Sequence, residues 1–277
     1  MNGPLKKEEY VEENCILVER PDIPKGMDRI PQQRISQKLD ELMGDKDTAG
    51  AERLLKYWRN EAKAIGDRQG EFMVYNEMMG YYRKVKRQKE AYEAADTAMS
   101  MLKELGYTDT ISGATCYTNA ATVYTDFGEY RRAMPLFEKA RVIYETGNLK
   151  NEYKTAGLYN NMAIASTALG NYREANVLYQ KALDMLRSVK DSELEQAVTY
   201  LNMLDTLLAE GDFNDTAREK AAEYLYLAEI CLDADNLERD DYYAFVAEKC
   251  YPIYETFGWD KYANKLKERI REIHERS

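Results

Sequence analysis

The sequence has 277 residues, of which 44% are hydrophobic and 32% are charged, and its net charge is -10. This balance argues against a surface for nucleic acid or anionic membrane, because both kinds of surface rely on clustered Lys and Arg. No uninterrupted apolar run approaches the roughly 20 residues that a membrane-spanning helix needs. Neither a nucleic acid nor a membrane is therefore a predicted partner.

The cysteines are far apart and form neither a C-x-x-C pair nor a zinc-finger spacing, so no metal site or disulfide framework is predicted. They are Cys15, Cys116, Cys231 and Cys250. The first residues, M-N-G-P-L-K-K-E-E-Y, lack the apolar region of a secretory signal. We therefore expect a cytoplasmic protein with reduced thiols and without a cofactor.

Residues 1–31 contain four of the six prolines and have no sustained helical period, which predicts an irregular lead-in. Helical periodicity begins after Pro31. A first helix is expected to end at Gly44, and a second to run from Thr48 to Gly66. Residues 32–71 thus form a degenerate helix pair.

The next three units repeat with a period of 42 residues, over about 72–113, 114–155 and 156–197. The recurring positions are Tyr75, Tyr117 and Tyr159; Ala91, Ala133 and Ala175; and Ala98, Ala140 and Ala182. A fixed period of this length indicates a stacked repeat architecture, in which each unit buries its apolar stripe against its neighbours.

The middle unit defines the predicted core. Its first helix carries Tyr117, Ala121 and Tyr124 on one stripe, and its second helix carries Ala133 and Phe137. The small residues let the two helices approach closely, and the aromatic residues fill the space beside them. We expect all five side chains to be buried.

Two degenerate units, 198–239 and 240–277, complete the chain. The fourth unit keeps the spacing through Leu201, Leu204, Leu208 and Ala217. Its second helix could instead bury Ala222 and Tyr226, and the sequence leaves this register open. The last helix is rich in charge, which suits the capping end of an array.

This pattern resembles the tetratricopeptide repeat, in which an aromatic residue, Leu-Gly and Tyr precede Ala, Phe and Ala on the second helix. The period of 42 looks like the longer variant of kinesin light chains and related bacterial proteins. The closest copy begins at Thr155 and reads T-A-G-L-Y-N-N-M-A-I-A-S-T-A-L-G-N-Y-R-E-A-N-V-L-Y-Q-K-A-L. The resemblance implies an all-α fold, an α–α superhelix of about six antiparallel helix pairs, as a single domain over residues 32–277.

Asparagines recur just after the stripe aromatic of the first helices, at positions that should face the concave groove of such an array. They are Asn76, Asn119, Asn160, Asn161 and Asn202. Asn is a poor residue in mid-helix, and its amide can both donate to and accept from a peptide backbone. The resemblance implies a peptide-holding ladder that Asn119 and Asn161 match best. Alternatively the amides bond to neighbouring helices or water, which we favour for Asn76, Asn160 and Asn202.

The same face is predicted to include Thr122 and Asp126 in the second repeat, and Arg83 and Lys84 in the first. Arg83 and Lys84 open a run of five basic residues, ending at Lys89, that has no intervening acid. Such a run could clamp a carboxylate of the partner. The rest of the run is more simply a solvated helix end.

The predicted function is a non-enzymatic scaffold that holds a protein or peptide segment in its groove. One alternative is a self-associating structural scaffold, since residues 191–241 carry fifteen acidic and three basic residues that could meet the basic run of another copy. The other is an enzyme that uses groove carboxylates or Cys250. It is disfavoured because nothing places the single histidine, His274, beside that thiol.

Overall fold

A computed structural model describes residues 29–146, 152–211 and 214–276 of the chain. Except for residues 29–31, the predicted lead-in lies outside these ranges. The described residues form twelve α-helices. They are α1 (Gln32–Gly44), α2 (Thr48–Ile65), α3 (Arg68–Lys84), α4 (Gln88–Glu104), α5 (Ile111–Asp126), α6 (Tyr130–Thr146), α7 (Glu152–Ala168), α8 (Tyr172–Leu186), α9 (Glu193–Glu210), α10 (Asp215–Leu232), α11 (Asp241–Thr256) and α12 (Asp260–His274).

The chain divides into two compact units, Met1–Gly147 and Asn148–Ser277. Unit 1 contains α1 to α6 and unit 2 contains α7 to α12. Within each unit consecutive helices pack as pairs, and the first helices of successive pairs also contact one another. The predicted all-α fold of repeated helix pairs is confirmed. The prediction of one continuous domain over residues 32–277 stays a prediction.

Most helix boundaries follow from local capping. Five helices begin after a polar residue whose side-chain oxygen accepts a hydrogen bond from the backbone N–H three residues later, at 2.8–3.1 Å. These N-caps are Asp47, Asp67, Thr110, Asn214 and Asp240. The predicted boundaries at Gly44, Thr48 and Gly66 are confirmed.

The turn inside each repeat uses a left-handed residue. Gly128 and Gly170 have φ of 81° and 79°, as their positions predict. Lys86, which lies 42 residues before Gly128, adopts the same conformation with φ of 58°. A side chain in this region costs about 1–2 kcal/mol relative to right-handed geometry. The packing of the repeat therefore imposes a left-handed turn even at Lys86, whose side chain disfavours that conformation.

The predicted core of the middle repeat is confirmed. The side chains of Tyr117, Ala121, Tyr124, Ala133 and Phe137 are all 5% exposed or less. The small residues lie at the contact between α5 and α6, where a larger side chain would separate the helices.

Tyr124 also ties its repeat to the preceding one. Its ring packs edge-on against Tyr92 of α4 with the centroids 5.3 Å apart, and its hydroxyl donates to Asp96 Oδ1 at 3.3 Å. The guanidinium of Arg132 covers the ring at 4.1 Å. This aromatic therefore stabilises two helix pairs at once.

The register of the fourth repeat is settled by α10. Ala217 is buried, whereas Ala222 and Tyr226 are exposed, so the alternative register is wrong. The expectation that Leu208 continues the buried stripe of α9 is also wrong, because this side chain is 40% exposed. In the last turns of α9 the buried residue is Thr206, whose hydroxyl pairs with that of Thr167 on α7 at 2.7 Å.

The terminal helix α12 is held by a hub at Asp233, after the end of α10. Asp233 accepts hydrogen bonds from Lys265 Nζ at 2.6 Å, Arg269 Nη1 at 2.5 Å and the Tyr262 hydroxyl at 3.0 Å. Burial alone would raise the pKa of Asp233, but hydrogen bonds from Lys265 and Arg269 outweigh it and hold the pKa below its ordinary value. The charge-rich helix predicted to cap the chain is thus joined to the preceding pair by ionic contacts.

None of the helices in the described ranges has the length and apolar character needed to cross a membrane.

Candidate functional site

All nine predicted site residues lie on the first helices of their pairs. We call the surface that these helices form within each unit its first-helix face: α1, α3 and α5 in unit 1, and α7, α9 and α11 in unit 2. Asn76, Arg83 and Lys84 are on α3; Asn119, Thr122 and Asp126 on α5; Asn160 and Asn161 on α7; and Asn202 on α9. What each side chain contacts decides which of them remain available to a partner.

The asparagines of unit 1 bond to each other across the repeat boundary. The amide nitrogen of Asn119 donates to Asn76 Oδ1 at 3.4 Å. Asn76 in turn donates to the carbonyl of Phe72 at 2.9 Å. Both side chains are half-buried. The Asn76 amide is thus used within the fold, while Asn119 makes a single long contact.

Unit 2 repeats this arrangement between α7 and α9. Asn202 donates to Asn160 Oδ1 at 3.1 Å, and Asn160 donates to Thr199 Oγ1 at 2.7 Å. The hydroxyls of Thr167 and Thr206 pair at 2.7 Å along the same seam. Asn160 and Asn202 therefore make the contacts between neighbouring helices that the alternative interpretation expects.

Asn161 differs from the other four asparagines. It is half-buried on α7, and its amide makes no hydrogen bond to any described residue. One turn further along the helix, Ile164 is exposed. The Asn161 amide retains both donors and its acceptor for another molecule.

Asp126 neutralises the start of the basic run. It accepts from Arg83 Nη1 at 3.1 Å and lies 3.5 Å from Lys86 Nζ. The nearby Thr122 hydroxyl donates to the carbonyl of Thr118 at 2.8 Å, within its own helix. The pair of Asp126 and Arg83 thus links two first helices of unit 1.

The remainder of the run is paired as well. Arg87 binds Glu52 at 2.8 Å and also Glu90, and Lys89 lies 3.9 Å from Glu93. Burial alone would raise the pKa of Glu52, but hydrogen bonds from Lys56 and Arg87 lower it. Glu52 comes from α2, whereas Glu90 and Glu93 follow the run on α4.

Lys84 is the exception in that run. It is exposed and forms no ion pair with any residue of the described ranges. The predicted carboxylate clamp is therefore reduced to a single available cation.

The first-helix face of unit 2 carries three side chains that the sequence prediction missed. The hydroxyls of Tyr153 on α7 and Tyr242 on α11 both donate to Glu195 Oε1 on α9, at 2.7 and 2.8 Å. Both tyrosines are 48% exposed. Burial of the phenol and its bond to Glu195 raise the pKa of Tyr242. We call Tyr153, Glu195 and Tyr242 the tyrosine–glutamate cluster.

Phe245 extends this cluster along α11. Its ring stacks beside that of Tyr242 with the centroids 6.4 Å apart, and it is 47% exposed. The ammonium of Lys249 lies 3.8 Å from the centre of the Phe245 ring. The neighbouring Tyr243 is fully buried, whereas Tyr242 and Phe245 lie on the surface.

Asp205 on α9 is a further missed residue. It is exposed and contacts no basic or hydrogen-bonding side chain of the described residues. Nevertheless, desolvation by the surrounding protein raises the pKa of its carboxyl.

Cys250 has no features of a nucleophile. Its side chain is 1% exposed, and burial raises the pKa of the thiol to about 12. A reactive cysteine needs the opposite shift and an accessible sulfur. His274 lies 3.9 Å from Glu248 and is itself exposed. Within the described ranges no three or more His, Cys, Asp or Glu side chains gather as a metal site would require.

Comparison with known sequences identifies two repeats directly. Residues 114–146 and 155–189 match the sequence profile of the tetratricopeptide repeat. They correspond to the second and third predicted units. No curated protein matches the chain.

Solved structures share the fold. BtubC (BKLC) from P. vanneervenii has 21% identity and a TM-score of 0.60, covering 72% of this chain and 78% of its own. A putative kinesin light chain from Podosopora anserina with nearly identical TPR-like repeats has 17% identity and a TM-score of 0.51, covering 72% and 93%. PilW, a type IV pilus biogenesis factor, has 15% identity and a TM-score of 0.51, covering 89% and 94%.

Repeats of this family generally serve as scaffolds for protein–protein interaction. Residues 114–146 and 155–189 are thus tetratricopeptide repeats by sequence, and the chain shares its fold with solved repeat structures that include a putative kinesin light chain.

Proposed function

We propose that this chain is a non-enzymatic scaffold that holds an extended protein or peptide segment on its first-helix faces. The observation that carries the proposal is the Asn161 amide, which is accessible and forms no hydrogen bond with the described part of the fold. An amide in mid-helix lowers helix stability without packing to compensate, so a role toward another molecule accounts for its presence.

In this proposal the asparagines have two roles. Asn161 and Asn119 contact the backbone of the partner, since Asn161 is unbonded and Asn119 uses one donor in a 3.4 Å contact. Asn76, Asn160 and Asn202 position their neighbours through bonds inside the fold. Thr122, Asp126 and Arg83 border the site in unit 1, and Lys84 adds a free cation there.

We place this scaffold in the cytoplasm as part of the same proposal. The three cysteines within the described ranges are free thiols, which fits a reducing compartment.

Site-specific photo-crosslinking tests the proposal. A benzophenone amino acid replaces Asn161 or Asn119 in the full chain, and the cells that produce the protein natively are irradiated. We expect covalent adducts with another protein from both positions. The matched control places the same group at Val177, which is exposed on the second helix α8 of the same unit.

Adducts from Val177 alone, or from none of the three positions, would contradict the proposal. If the adducts are dimers of the chain itself, the protein is the self-associating scaffold instead. That alternative has lost its main support, because the basic run that was to meet the acidic residues is already paired within unit 1.

A further inference from the structure

We infer that unit 2 binds a Lys or Arg side chain of the partner segment at the tyrosine–glutamate cluster. The inference rests on the proposed function, because it names the chemistry of the segment that the first-helix face holds. Three properties of this surface lead to it: an uncompensated carboxylate, open aromatic faces, and the charge of the helices around them.

The carboxylate of Glu195 has no cation of its own. Both phenols donate to its Oε1 atom, while its Oε2 atom has no hydrogen-bond or ion-pair partner in the described residues. Phenol donors orient a carboxylate without cancelling its charge. Glu195 is thus held in place between α7 and α11 with one oxygen free, and a guanidinium or ammonium is the group that complements it.

The aromatic rings supply the second half of the site. Tyr153, Tyr242 and Phe245 each leave almost half of their surface open to solvent. Cations are attracted to the faces of such rings. Lys249 already demonstrates this on the same helix, because its ammonium lies 3.8 Å from the centre of the Phe245 ring. The rings of the two tyrosines have no cation of this chain within the described ranges on their faces.

The surrounding charge selects a basic partner. The first helices of unit 2 carry eight acidic and two basic residues, whereas those of unit 1 carry five of each. Asp205 stands on the same face of α9 without a cation, in partly desolvated surroundings that strengthen its attraction for one. An acidic segment would be repelled here, and a neutral apolar segment would leave Glu195 and Asp205 desolvated without a partner.

The arrangement also suggests how a bound segment would run. The cluster spans three consecutive first helices, since its members lie on α7, α9 and α11. A basic side chain bound at the cluster would pair with the free oxygen of Glu195 and lie against the exposed parts of the tyrosine rings. The Asn161 amide, two turns after Tyr153 on α7, is then placed to bond the backbone of the same segment.

The test uses the immobilised full chain to select from a displayed library of random twelve-residue peptides. Three forms are compared: the unmodified chain, the double variant Tyr153→Ala with Glu195→Gln, and the matched double variant Tyr226→Ala with Glu223→Gln. Tyr226 and Glu223 are exposed on the second helix α10 of the same unit. The control therefore makes the same chemical changes on a helix that does not belong to the first-helix face.

We expect the unmodified chain and the control to enrich peptides with Lys or Arg at a shared position. For the best peptide, the cluster variant should weaken binding at least about tenfold, a change of about 1.4 kcal/mol. Replacing the shared Arg by citrulline should weaken it similarly, because shape is kept and charge is lost. Tyr242→Phe, which keeps the ring face, should retain most of the affinity. Circular dichroism checks that each variant is folded.

The outcomes separate the two proposals. Enriched peptides that lack a basic residue, or that bind the cluster variant as well as the unmodified chain, would overturn this inference and leave the proposed function standing. Failure to enrich any peptide, together with an absence of crosslinks at positions 119 and 161, would overturn both. If light scattering shows self-association that Glu195→Gln abolishes, the occupant is a second copy, and the inference of a separate partner is wrong.

Discussion

Unit 1 and unit 2 are built from the same kind of helix pair, but they leave different polar groups available on their first-helix faces. In unit 1 Asn119 pairs with Asn76 and Arg83 with Asp126, and Lys84 is left without an ion pair among the described residues. In unit 2 the Asn161 amide, the Asp205 carboxylate and one oxygen of Glu195 remain without partners in the described residues. The repeat core fixes the helices, and the chemistry of the exposed face varies independently of it.

Exposed hydrophobic side chains show the same difference. Among the described residues, unit 1 exposes one large hydrophobic side chain, Val142. Unit 2 exposes eight: Tyr153, Ile164, Val177, Leu208, Tyr226, Ile230, Tyr242 and Phe245. Net charge follows the division, at -2 for unit 1 and -8 for unit 2. Unit 2 therefore exposes more large hydrophobic side chains and carries more negative charge than unit 1.

The largest expected loss of stability comes from a substitution in the core of unit 1. Tyr124→Ala removes a buried ring that contacts two repeats, so the free energy of unfolding should fall by about 3–5 kcal/mol. Urea unfolding followed by circular dichroism measures it. A loss below about 1 kcal/mol would mean that the stripe contributes little to packing.

The second largest loss of stability is expected in unit 2, from a substitution of Asp233. Asp233→Asn leaves Arg269 buried without its anion, and we expect a loss of about 2–3 kcal/mol near pH 7. This is below the 3–5 kcal/mol of a fully buried pair, because a quarter of the Asp233 side chain is exposed, at 26%.

The pH dependence of that variant gives a second readout. The pKa of Asp233 is lowered in the folded state, so its stabilisation is complete above the unfolded value of about 3.9. It is lost as the pH falls through the folded pKa. The difference between the two proteins should therefore shrink below about pH 4. A difference that is constant over this range would show that charge is not the cause.

A smaller change, this time a gain in stability, is expected from a substitution in the turn between α3 and α4 of unit 1. Lys86→Gly relieves the left-handed conformation and should raise the free energy of unfolding by about 1 kcal/mol. The exposed pair with Asp126 that it removes is worth little. Lys84→Gly, two residues earlier at the end of α3, is the control and should be destabilising by about 0.5–1 kcal/mol. If both variants are destabilised, backbone strain at Lys86 is not limiting.

The smallest effect concerns the residue of unit 2 that corresponds to Tyr124. Ser166, 42 residues later, is fully buried, and its hydroxyl has no hydrogen-bond partner in the described structure. Ser166→Ala removes that unsatisfied group and should be neutral or stabilising by up to about 1 kcal/mol. Thermal unfolding measures the change. A clear decrease in stability would indicate that the hydroxyl is bonded in solution.

The sequence was sufficient for the helices and the core. Helix-end signals predicted the boundaries at Gly44, Thr48 and Gly66, and the 42-residue period predicted the burial of Tyr117, Tyr124 and Phe137. These features depend on local chemistry and on contacts within one repeat, which the period encodes directly. The same reasoning could not choose the register of α10, because both Ala217 and Ala222 satisfy a helical spacing.

Contacts between first helices were harder to predict. Asn160 bonds to residues 39 and 42 positions away, Thr199 and Asn202, because the neighbouring helix presents two successive turns to it. A period alone does not say which turn a side chain will contact. Tyr153 and Glu195 are 42 residues apart, so a search for complementary pairs at the repeat distance would have found half of the tyrosine–glutamate cluster.

The basic run shows the limit of reading charge along the chain. Its partners Glu52 and Asp126 lie 35 residues before Arg87 and 43 residues after Arg83. Separation in sequence concealed that the positive charges of Arg83 and Arg87 were already neutralised.

The buried thiols give each unit an internal reporter. Cys116 lies in unit 1, and Cys231 and Cys250 lie in unit 2. With Cys15 replaced by Ser, an alkylating reagent can reach these sulfurs only when the surrounding helices open. Mass spectrometry of the labelled peptides would then measure the rate at which each unit opens, without denaturant and without any substitution in the described residues. Ligand that binds unit 2 alone should slow labelling at Cys231 and Cys250 and leave Cys116 unchanged.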